Sequence, residues 1–404
     1  MPINRREFLC SSLLSAGALA MPGVSLGFAG KSAGGGSVVA IYLRGGADGL
    51  NMVVPWRDDN YYRLRPRLAV PRPDSAGGVL DLDGFFGLNP SMLPLRSLYT
   101  EGKLAMVHAC GGTHGSRSHF DAQELMERGV NSKSGATSGW LGRAVETLPQ
   151  AGIDPFISTA IGTAVPRAFS GAVPAVGISS VEGFDLALEG NALTAARYAI
   201  AHGYSKSSSI GVAAMQTVEA IDLLKAARPT QYVTDPTAMY PTGTFGNNLK
   251  QLAQLLKADI GIRTAGVDLG GWDHHDSEAG NLAPLLSELS AGLLALHRDL
   301  GSLAASVSVI VMSEFGRRAF ENGSLGTDHG TGNLMMVLGG GVRGGRVLAN
   351  WPGMADANLD RGDLKITTDY RQVFREVLAK QLPEVDLDYV TQDYVGGPSL
   401  GLFS

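Results

Sequence analysis

Short apolar runs and longer stretches with helical spacing alternate along this chain. The runs at 38–43, 103–110 and 306–312 ("VVAIYL", "KLAMVHAC" and "SVSVIVM") are rich in β-branched residues and almost free of charge. Such runs are typical of strands that are covered on both faces of a sheet. The segments 262–269 and 333–341 ("IRTAGVDL" and "NLMMVLGGG") predict two further strands.

Between these strands, apolar residues recur three and four positions apart, which predicts amphipathic helices. Gly129 is placed to end the first of the longer helices, and Thr367 or Thr368 to cap the last one. Asn89 and Pro90 occupy the cap and first-turn positions of a shorter helix that runs to 99. The longer predicted helices cover 119–129, 247–259, 281–304 and 369–382.

Alternating strands and helices predict an α/β fold with a mostly parallel sheet and helices on both faces, a three-layer αβα sandwich. We expect 30–404 to form a single domain of this kind. Residues 150–245 are less regular and rich in Ala, Gly, Pro and Ser. They are interpreted as an insertion or as a cap over the edge of the sheet.

The first thirty residues predict an export signal. Arg5 and Arg6 precede an apolar run without charge from Phe8 to Gly30, and the pair resembles the twin-arginine signal. We expect cleavage after Ala29, with Ala18-Leu19-Ala20 as the other candidate site. Cleavage after Ala29 makes 1–29 the signal peptide, and the periplasm or another exported location is the destination. The twin-arginine export machinery is then a partner, and an uncleaved membrane anchor is the alternative.

Charge and cysteine content exclude several classes of protein. Because the leader carries a net charge of +1, its removal moves the net charge from −5 to −6, and nucleic acid is not an expected partner. No membrane span is expected in the mature chain, because no later apolar stretch approaches about 20 residues. Cys10 leaves with the leader, so Cys110 has no partner for an internal disulfide.

Polar residues gather directly after four of the predicted strands. In a parallel sheet these positions converge on one edge, where ligands bind. In "WDHHD" (272–276), Asp273 and His275 can face one ion while His274 turns aside, because adjacent side chains of an extended segment point in opposite directions. A polar turn exposed to water is the alternative. Aspartate with histidine suits zinc, manganese or iron, and oxygen-rich sets also suit magnesium or calcium.

Five ordered motifs carry a resemblance to a known family. "RGGADGLN", "SRSHFDAQ", "GGWDHH", "MSEFGR" and "GTDHGTG", behind the leader, resemble the bacterial family known as domain of unknown function 1501. The resemblance covers nearly all of the mature chain. That family is in turn similar to the alkaline phosphatase and sulfatase superfamily, which implies an α/β sandwich with two metal sites and a nucleophile at a helix start.

The resemblance implies a set of metal ligands. Glu314 of "MSEFG" corresponds to a carboxylate ligand at a strand end, and Asp273 with His275 corresponds to the aspartate and histidine of one site. Phe315 stands where the superfamily pattern has a histidine, so the second site lacks a nitrogen ligand and Asp328 is a substitute. One or two divalent ions are expected, and the implied ligands are Asp48, Asp273, His275, Glu314, Asp328 and His329.

The resemblance also implies a nucleophile. Ser118, at the start of the helix "HFDAQELM", corresponds to it, and Ser116 is the alternative. A helix N-terminus stabilises an alkoxide and an anionic group under attack. Arg117 could bind a phosphate or sulfate oxygen, or act as an ion-pair partner, and His119 could assist proton transfer.

These residues favour an exported metal-dependent hydrolase of phosphate or sulfate esters, acting on a small-molecule or polymer substrate. A non-catalytic metal-binding or assembly protein on the same fold is the alternative, and the loss of a histidine at Phe315 favours it. A mutase or transferase is a third possibility. His108, inside a strand, is interpreted as a core histidine, and Arg317 and Arg318 as structural or solvated residues.

Overall fold

The computed structural model describes most of the chain after the predicted signal peptide, which itself lies outside the described residues. The described residues form two compact units, one made of Gly35–Phe184 with Leu223–Ser404 and the other containing Asp185–Asp222. The boundaries predicted at 1–29 and 30–404 stay predictions. The structure describes residues 35–149, 151, 154–185, 188–203, 209–227, 231–394 and 396–404.

The strands of the described residues all belong to the larger unit. We number them β1 to β12 in chain order. They are Ser37–Leu43, Val53–Val54, Leu80–Asp81, Gly87–Leu88, Leu104–Gly111, Ser158–Ile161, Val176–Ile178, Thr264–Leu269, Val307–Met312, Asn333–Gly339, Arg346–Leu348 and Thr368–Asp369.

The α-helices of the described residues are numbered α1 to α11 in the same way. Helix α6 lies in the smaller unit, and α7 begins there. The helices are Gly49–Met52, Asp59–Leu64, Leu95–Thr100, His119–Arg128, Trp140–Glu146, Gly190–Gly203, Ser209–Ala227, Thr244–Lys257, Glu278–Leu300, Tyr370–Gln381 and Leu387–Val390.

Nine strands form one mixed, mostly parallel sheet in the order β11-β5-β10-β9-β1-β8-β6-β7, with β12 paired to β5 beside β11. Strand β10 runs antiparallel to both of its neighbours, β5 and β9, and every other pairing in this sheet is parallel. Strands β2, β3 and β4 form a separate small antiparallel sheet. The predicted α/β class with a mostly parallel sheet is confirmed.

The central strands are buried because both faces of the sheet are covered. Val38, Ala40 and Tyr42 of β1 pack in one apolar cluster with residues of α5 and α10, where the rings of Trp140 and Phe374 stack. Alternate residues of a strand point to the opposite face. The helices that cover the sheet also include α8, which contacts β6 and β8 and packs against α9. This arrangement makes the three layers that the alternation of strands and helices predicts.

One helix of the described residues is long and apolar enough by composition to cross a membrane. It is the stretch Glu278–Ala305, which comprises α9 and the short helical turn after it. Leu286, Leu289 and Leu293 on α9 are fully buried within the protein. Core helices of this kind pass the same test of length and composition.

Three local features differ from the sequence predictions. The region 150–245 contributes strands β6 and β7 to one edge of the sheet, and their short runs between Gly and Pro gave no strand signal. The helix predicted after Asn89 is divided: a single 3₁₀ turn, Pro90–Met92, precedes α3. The cap of α10 is Asp369, whose carboxylate accepts the Arg371 N–H, and neither threonine has this role.

His108 is a core histidine, as its position inside β5 predicts. It is fully buried, its Nε2 lies 2.9 Å from the Val53 carbonyl oxygen, and its Nδ1 accepts the Ala109 N–H at 2.8 Å. These two contacts fit the neutral ring that carries its proton on Nε2. Burial lowers the pKa of His108 from its ordinary value to about 4.

We expect the acid sensitivity of folding to decrease in His108→Gln. Between about pH 6.5 and pH 4 the unfolded chain binds a proton at this histidine while the folded chain does not, so the protein loses about 3 kcal/mol over this range. Urea unfolding at several pH values should show a shallower loss of stability in the variant than in the wild type. The exposed His202 provides a control, because His202→Gln should keep the wild-type slope.

Candidate metal centre

The loops after the strands of the large sheet meet at its carboxyl edge. Strands β1, β5, β8 and β9 end at this edge, and β10, which runs the other way, begins there. Every site residue predicted from the sequence lies on one of these loops or on the first turn of α4. The loops concerned are 44–48, 112–118, 270–276, 313–316 and 327–332.

Three of the predicted residues lie in direct contact. His119, Asp273 and His329 each offer one ligand atom, and these atoms all lie within 4.8 Å of one another. Asp273 Oδ2 is 3.3 Å from His119 Nε2, and Asp273 Oδ1 is 3.1 Å from His329 Nε2. These residues come from α4, from the loop after β8 and from the loop before β10, so the sheet brings together positions far apart in sequence.

His275 joins this group from the same loop as Asp273. Its Nε2 lies 3.0 Å from Asp273 Oδ1 and 2.9 Å from His329 Nε2. His274, between them in sequence, is buried, whereas Asp273 and His275 are both about half exposed. The alternation expected of an extended segment therefore separates His274 from this pair. We call His119, Asp273, His275 and His329 the His/Asp cluster.

The remaining ring nitrogens of two cluster histidines are fixed by partners behind them. His119 Nδ1 lies 2.8 Å from Glu314 Oε1, and His329 Nδ1 lies 2.8 Å from the Arg117 carbonyl oxygen. Since both partners accept hydrogen bonds, each Nδ1 carries the proton in the neutral ring and each Nε2 keeps a free lone pair. Such partners are the usual outer shell of metal-binding histidines. His119 Nε2 is buried and forms no hydrogen bond with any described group.

Glu314 supports the cluster from a fully buried position. Its carboxylate accepts hydrogen bonds from the Gln123 side chain at 2.9 Å, the Gly45 N–H at 3.0 Å and the Ser313 hydroxyl at 3.1 Å, besides the contact with His119. Burial alone would raise the pKa of Glu314, but the hydrogen bonds from His119 and Gln123 outweigh it and lower that pKa. The hydrogen bond to Glu314 in turn raises the pKa of His119.

Arg317 holds the Asp273 carboxylate from below the cluster. The guanidinium is buried, and it donates to Asp273 Oδ1 at 2.8 Å as well as to the carbonyl oxygens of Gly46 and Trp272. Burial opposes ionisation of Asp273, yet the hydrogen bond and the charge of Arg317 outweigh it and bring the pKa of Asp273 well below its ordinary value. The interpretation of Arg317 as a structural residue is thus correct.

Phe315 forms an apolar wall beside the cluster. Its ring centroid lies 4.8 Å from that of His119 and 4.9 Å from that of His329. Gly46, in a left-handed conformation at φ 68°, faces this ring so closely that a Cβ there would lie 2.5 Å from it. The phenyl ring therefore occupies the position next to Glu314 at which the superfamily pattern has a histidine.

Asp48 lies at the same edge, but its carboxylate already has a cationic partner. Arg65 donates to Asp48 Oδ2 at 2.5 Å and to Oδ1 at 3.1 Å, and both side chains are buried. Burial alone would raise the pKa of Asp48, but the Arg65 guanidinium outweighs it and lowers that pKa. Burial, followed by the charge of Asp48, raises the pKa of Glu278 well above its ordinary value. Metal binding by Asp48 stays a prediction.

Ser118 is exposed at the N-cap of α4, directly before His119. Its hydroxyl makes no capping hydrogen bond, and its N–H donates to Ser116 Oγ at 3.3 Å. The Arg117 guanidinium pairs with the buried Asp363 at 2.5 Å, and its binding of a phosphate or sulfate oxygen stays a prediction. The roles of Ser118 and Ser116 as nucleophiles stay predictions.

Asp328 lies behind His275. Its Oδ1 is 3.2 Å from His275 Nδ1 and accepts a hydrogen bond from the Asn322 side chain at 3.3 Å. It therefore stands in the outer shell of the cluster in this arrangement. Its predicted role as a ligand in place of a histidine stays a prediction.

Several residues around the cluster were not identified from the sequence. Arg65, Glu278 and Asp363 carry no motif that pairs them with the site, because their partners lie far away along the chain. Gln123 gave a usable signal: it follows His119 by four residues on the predicted helix, so both side chains lie on one face and reach Glu314 together. Helical spacing could have identified this residue.

We expect Arg65→Met to destabilise the protein by about 3–5 kcal/mol, because it leaves the Asp48 charge buried without a partner. Arg63→Met is the matched control. Arg63 pairs with Asp356 at 2.7 Å, but both side chains are exposed, so its loss should cost less than about 1 kcal/mol. Chemical unfolding measures both changes, and equal effects of the two substitutions would contradict the burial of the Asp48 pair.

Comparisons with known proteins found similar solved structures and one family model. Two structures of the C-terminal periplasmic domain of EcEptC from Escherichia coli are similar, one at 10% identity over 90% of this chain and 88% of that one, with a TM-score of 0.39. The other, a complex with Zn, has 9% identity over 76% and 74%, with a TM-score of 0.35. The PsFucS1 sulfatase from Pseudoalteromonas sp. has 11% identity over 92% and 72%, with a TM-score of 0.38.

At these TM-scores the likenesses support no inference about function. No curated protein sequence matches this chain significantly. The family model described as "Protein of unknown function (DUF1501)" matches residues 36–386. That range includes every residue of the His/Asp cluster, and the chain belongs to the DUF1501 family.

Proposed function

We propose that this chain is an exported metal-dependent hydrolase of phosphate or sulfate esters. The observation that carries the proposal is the His/Asp cluster, in which Nε2 atoms and a carboxylate converge while the Nδ1 atoms of His119 and His329 are bound to acceptors behind them. A set of polar side chains this close together, in which the buried His119 Nε2 lies 3.3 Å from Asp273 Oδ2 without forming a hydrogen bond, is costly unless a ligand binds there.

The donor set fits a divalent transition-metal ion. Three imidazole nitrogens and one carboxylate are offered, a combination that suits zinc, manganese or iron better than magnesium or calcium. An ion held by the cluster would supply Lewis-acid stabilisation of the negative charge that develops on the ester oxygens. Glu314 and the Arg117 carbonyl would keep His119 and His329 in the binding tautomer.

The segment 117–119 brings three functions to one point. The Arg117 carbonyl orients His329, the Ser118 hydroxyl is free of a capping bond, and His119 belongs to the cluster. We infer that Ser118 Oγ attacks the phosphorus or sulfur atom of the ester, because it lies at the N-terminus of α4, a helix of 10 residues. Its proton passes to water, the bond to the alcohol oxygen breaks, and a second water then releases phosphate or sulfate from the serine. Unpaired N–H groups at a helix N-terminus attract an anionic ester and stabilise an alkoxide.

The export part of the proposal rests on the N-terminal sequence. Arg5 and Arg6 precede a long apolar run without charge, which is the pattern of a twin-arginine signal. Because this route carries folded proteins, the His/Asp cluster could take up its ion before export. The mature protein would then act in the periplasm.

Metal analysis of the purified protein tests the centre. We expect about one transition-metal ion per chain in the wild type, and its loss in Asp273→Ala and His329→Ala, because each substitution removes a ligand from the cluster. Asp276→Ala is the matched control from the same loop and should keep the ion. Full metal occupancy in both cluster variants would refute the proposed site.

Turnover of nitrophenyl phosphate and nitrophenyl sulfate tests the reaction. We expect Ser118→Ala to lower kcat/KM by roughly a thousandfold or more while metal content stays unchanged, because the nucleophile is lost and the cluster is kept. Ser116→Ala should retain most of the activity. A large loss of activity in Ser116→Ala but not in Ser118→Ala, or a covalent adduct trapped on another residue, would show that Ser118 is not the nucleophile.

A non-catalytic metal-binding or assembly protein is the second candidate. It is favoured by the surroundings of Ser118, whose hydroxyl forms no hydrogen bond to a base among the described residues, and by Arg117, whose guanidinium is paired with Asp363. Bound metal without turnover of either class of ester in the wild type would select this alternative.

A further inference from the structure

A cavity of about 460 Å³ opens on the segment that leads from β11 to β12. This volume lies in the range of sites for small molecules. Most of its walls are polar, and no aromatic ring lines it. The lining residues that matter here are Asn350, Pro352, Asn358, Asp360, Lys365 and Thr367.

The cavity lies at the same edge of the sheet as the His/Asp cluster. The Thr367 N–H donates to the Ala109 carbonyl oxygen, directly before β12 pairs with the end of β5. Asp360 begins a tight turn whose last residue, Asp363, binds Arg117 in the loop after β5. One loop and one turn therefore connect the cavity wall to the segment that carries Ser118.

Of the polar side chains of the cavity, Asp360 lies 3.5 Å from the Arg361 guanidinium, and the others have no partner within the described part of the protein. The side chains of Asn350, Asn358 and Lys365 form no hydrogen bond or ion pair with another described group. Thr367 Oγ1 is buried and also has no hydrogen-bond partner. A buried hydroxyl without a partner costs roughly 1–3 kcal/mol, so this atom indicates a ligand or a bound water.

The chemistry of the lining indicates a neutral ligand with several hydroxyl groups. Asp360 and Lys365 place one carboxylate and one ammonium group in the lining, and Arg361 lies 3.5 Å from the Asp360 carboxylate, so the lining presents no cluster of charges of one sign. The amides of Asn350 and Asn358 and the hydroxyl of Thr367 can each donate and accept, as sugar hydroxyls do. Pro352 adds an apolar surface for the C–H face of a ring.

We infer that this cavity binds a sugar unit. As a statement about the substrate, the inference rests on the proposed function: the ester that reaches the His/Asp cluster would be carried by a carbohydrate, and the neighbouring sugar ring would occupy the cavity. Sugar binding as such does not depend on catalysis. The two statements can therefore be tested separately.

Calorimetric titration of the full chain with neutral sugars tests the binding. Glucose, galactose, mannose, fucose, maltose and cellobiose serve as probes, and we expect at least one to bind. Thr367→Val and Asn358→Ala should each raise the Kd about tenfold, the effect of one or two lost hydrogen bonds. Asn247→Ala, which removes an exposed amide from α8, is the matched control and should leave the Kd unchanged.

Thermal unfolding tests whether each variant is folded. We expect Thr367→Val to fold, because it preserves the shape of the side chain and the backbone N–H of residue 367. Absence of binding by every sugar, or equal affinity in wild type and both cavity variants, would overturn the inference. Binding of inorganic phosphate or sulfate that is lost in Lys365→Met, with no sugar bound, would also overturn it and assign an anion site.

A second measurement separates this inference from the proposed function. If sugar phosphates or sulfates are substrates, Thr367→Val should raise their KM about tenfold and leave kcat and the KM of nitrophenyl esters unchanged. Sugar binding without turnover of any ester would remove the proposed function and keep the sugar site. Turnover of nitrophenyl esters without sugar binding would keep the proposed function and overturn the sugar site.

Discussion

The burial of the Glu314 carboxylate at the end of β9 is the interaction on which the site depends. A charge removed from water is costly unless donors surround it. Here a backbone N–H, a hydroxyl, an amide and an imidazole provide them. Because these donors come from β9, from the loop after β1 and from α4, the carboxylate fixes three parts of the fold relative to each other. His119 is oriented as a consequence.

Three arginines also surround the site, and each one is paired with a carboxylate of the protein. Arg317 joins Asp273 to backbone carbonyls of two loops, Arg65 neutralises Asp48, and Arg117 binds Asp363. Positive charge near the cluster is therefore mostly committed to the protein itself. The N-terminus of α4, where Ser118 lies, is one feature that can attract an anionic ester in the proposed reaction.

Phe315 shows how one residue changes the character of such a site. Its ring contacts the imidazoles of His119 and His329 and fills the space next to Glu314. His119, Asp273 and His329 offer ligand atoms within 4.8 Å of one another, with His275 next to Asp273 and His329. Asp48 lies in a separate buried ion pair.

The sequence by itself determined the α/β class, five of the main strands and the edge where the polar loops meet, because apolar runs, helical spacing and glycine stops are local signals. It also placed Asp273 and His275 on one side of an extended segment. The tertiary structure alone decided the partners: that Arg65 pairs with Asp48, that Glu314 lies behind His119, and that Asp363 takes the guanidinium of Arg117. Such pairs join residues tens to hundreds of positions apart, and the energy of a buried charge depends on the groups that fold around it, which no local pattern records.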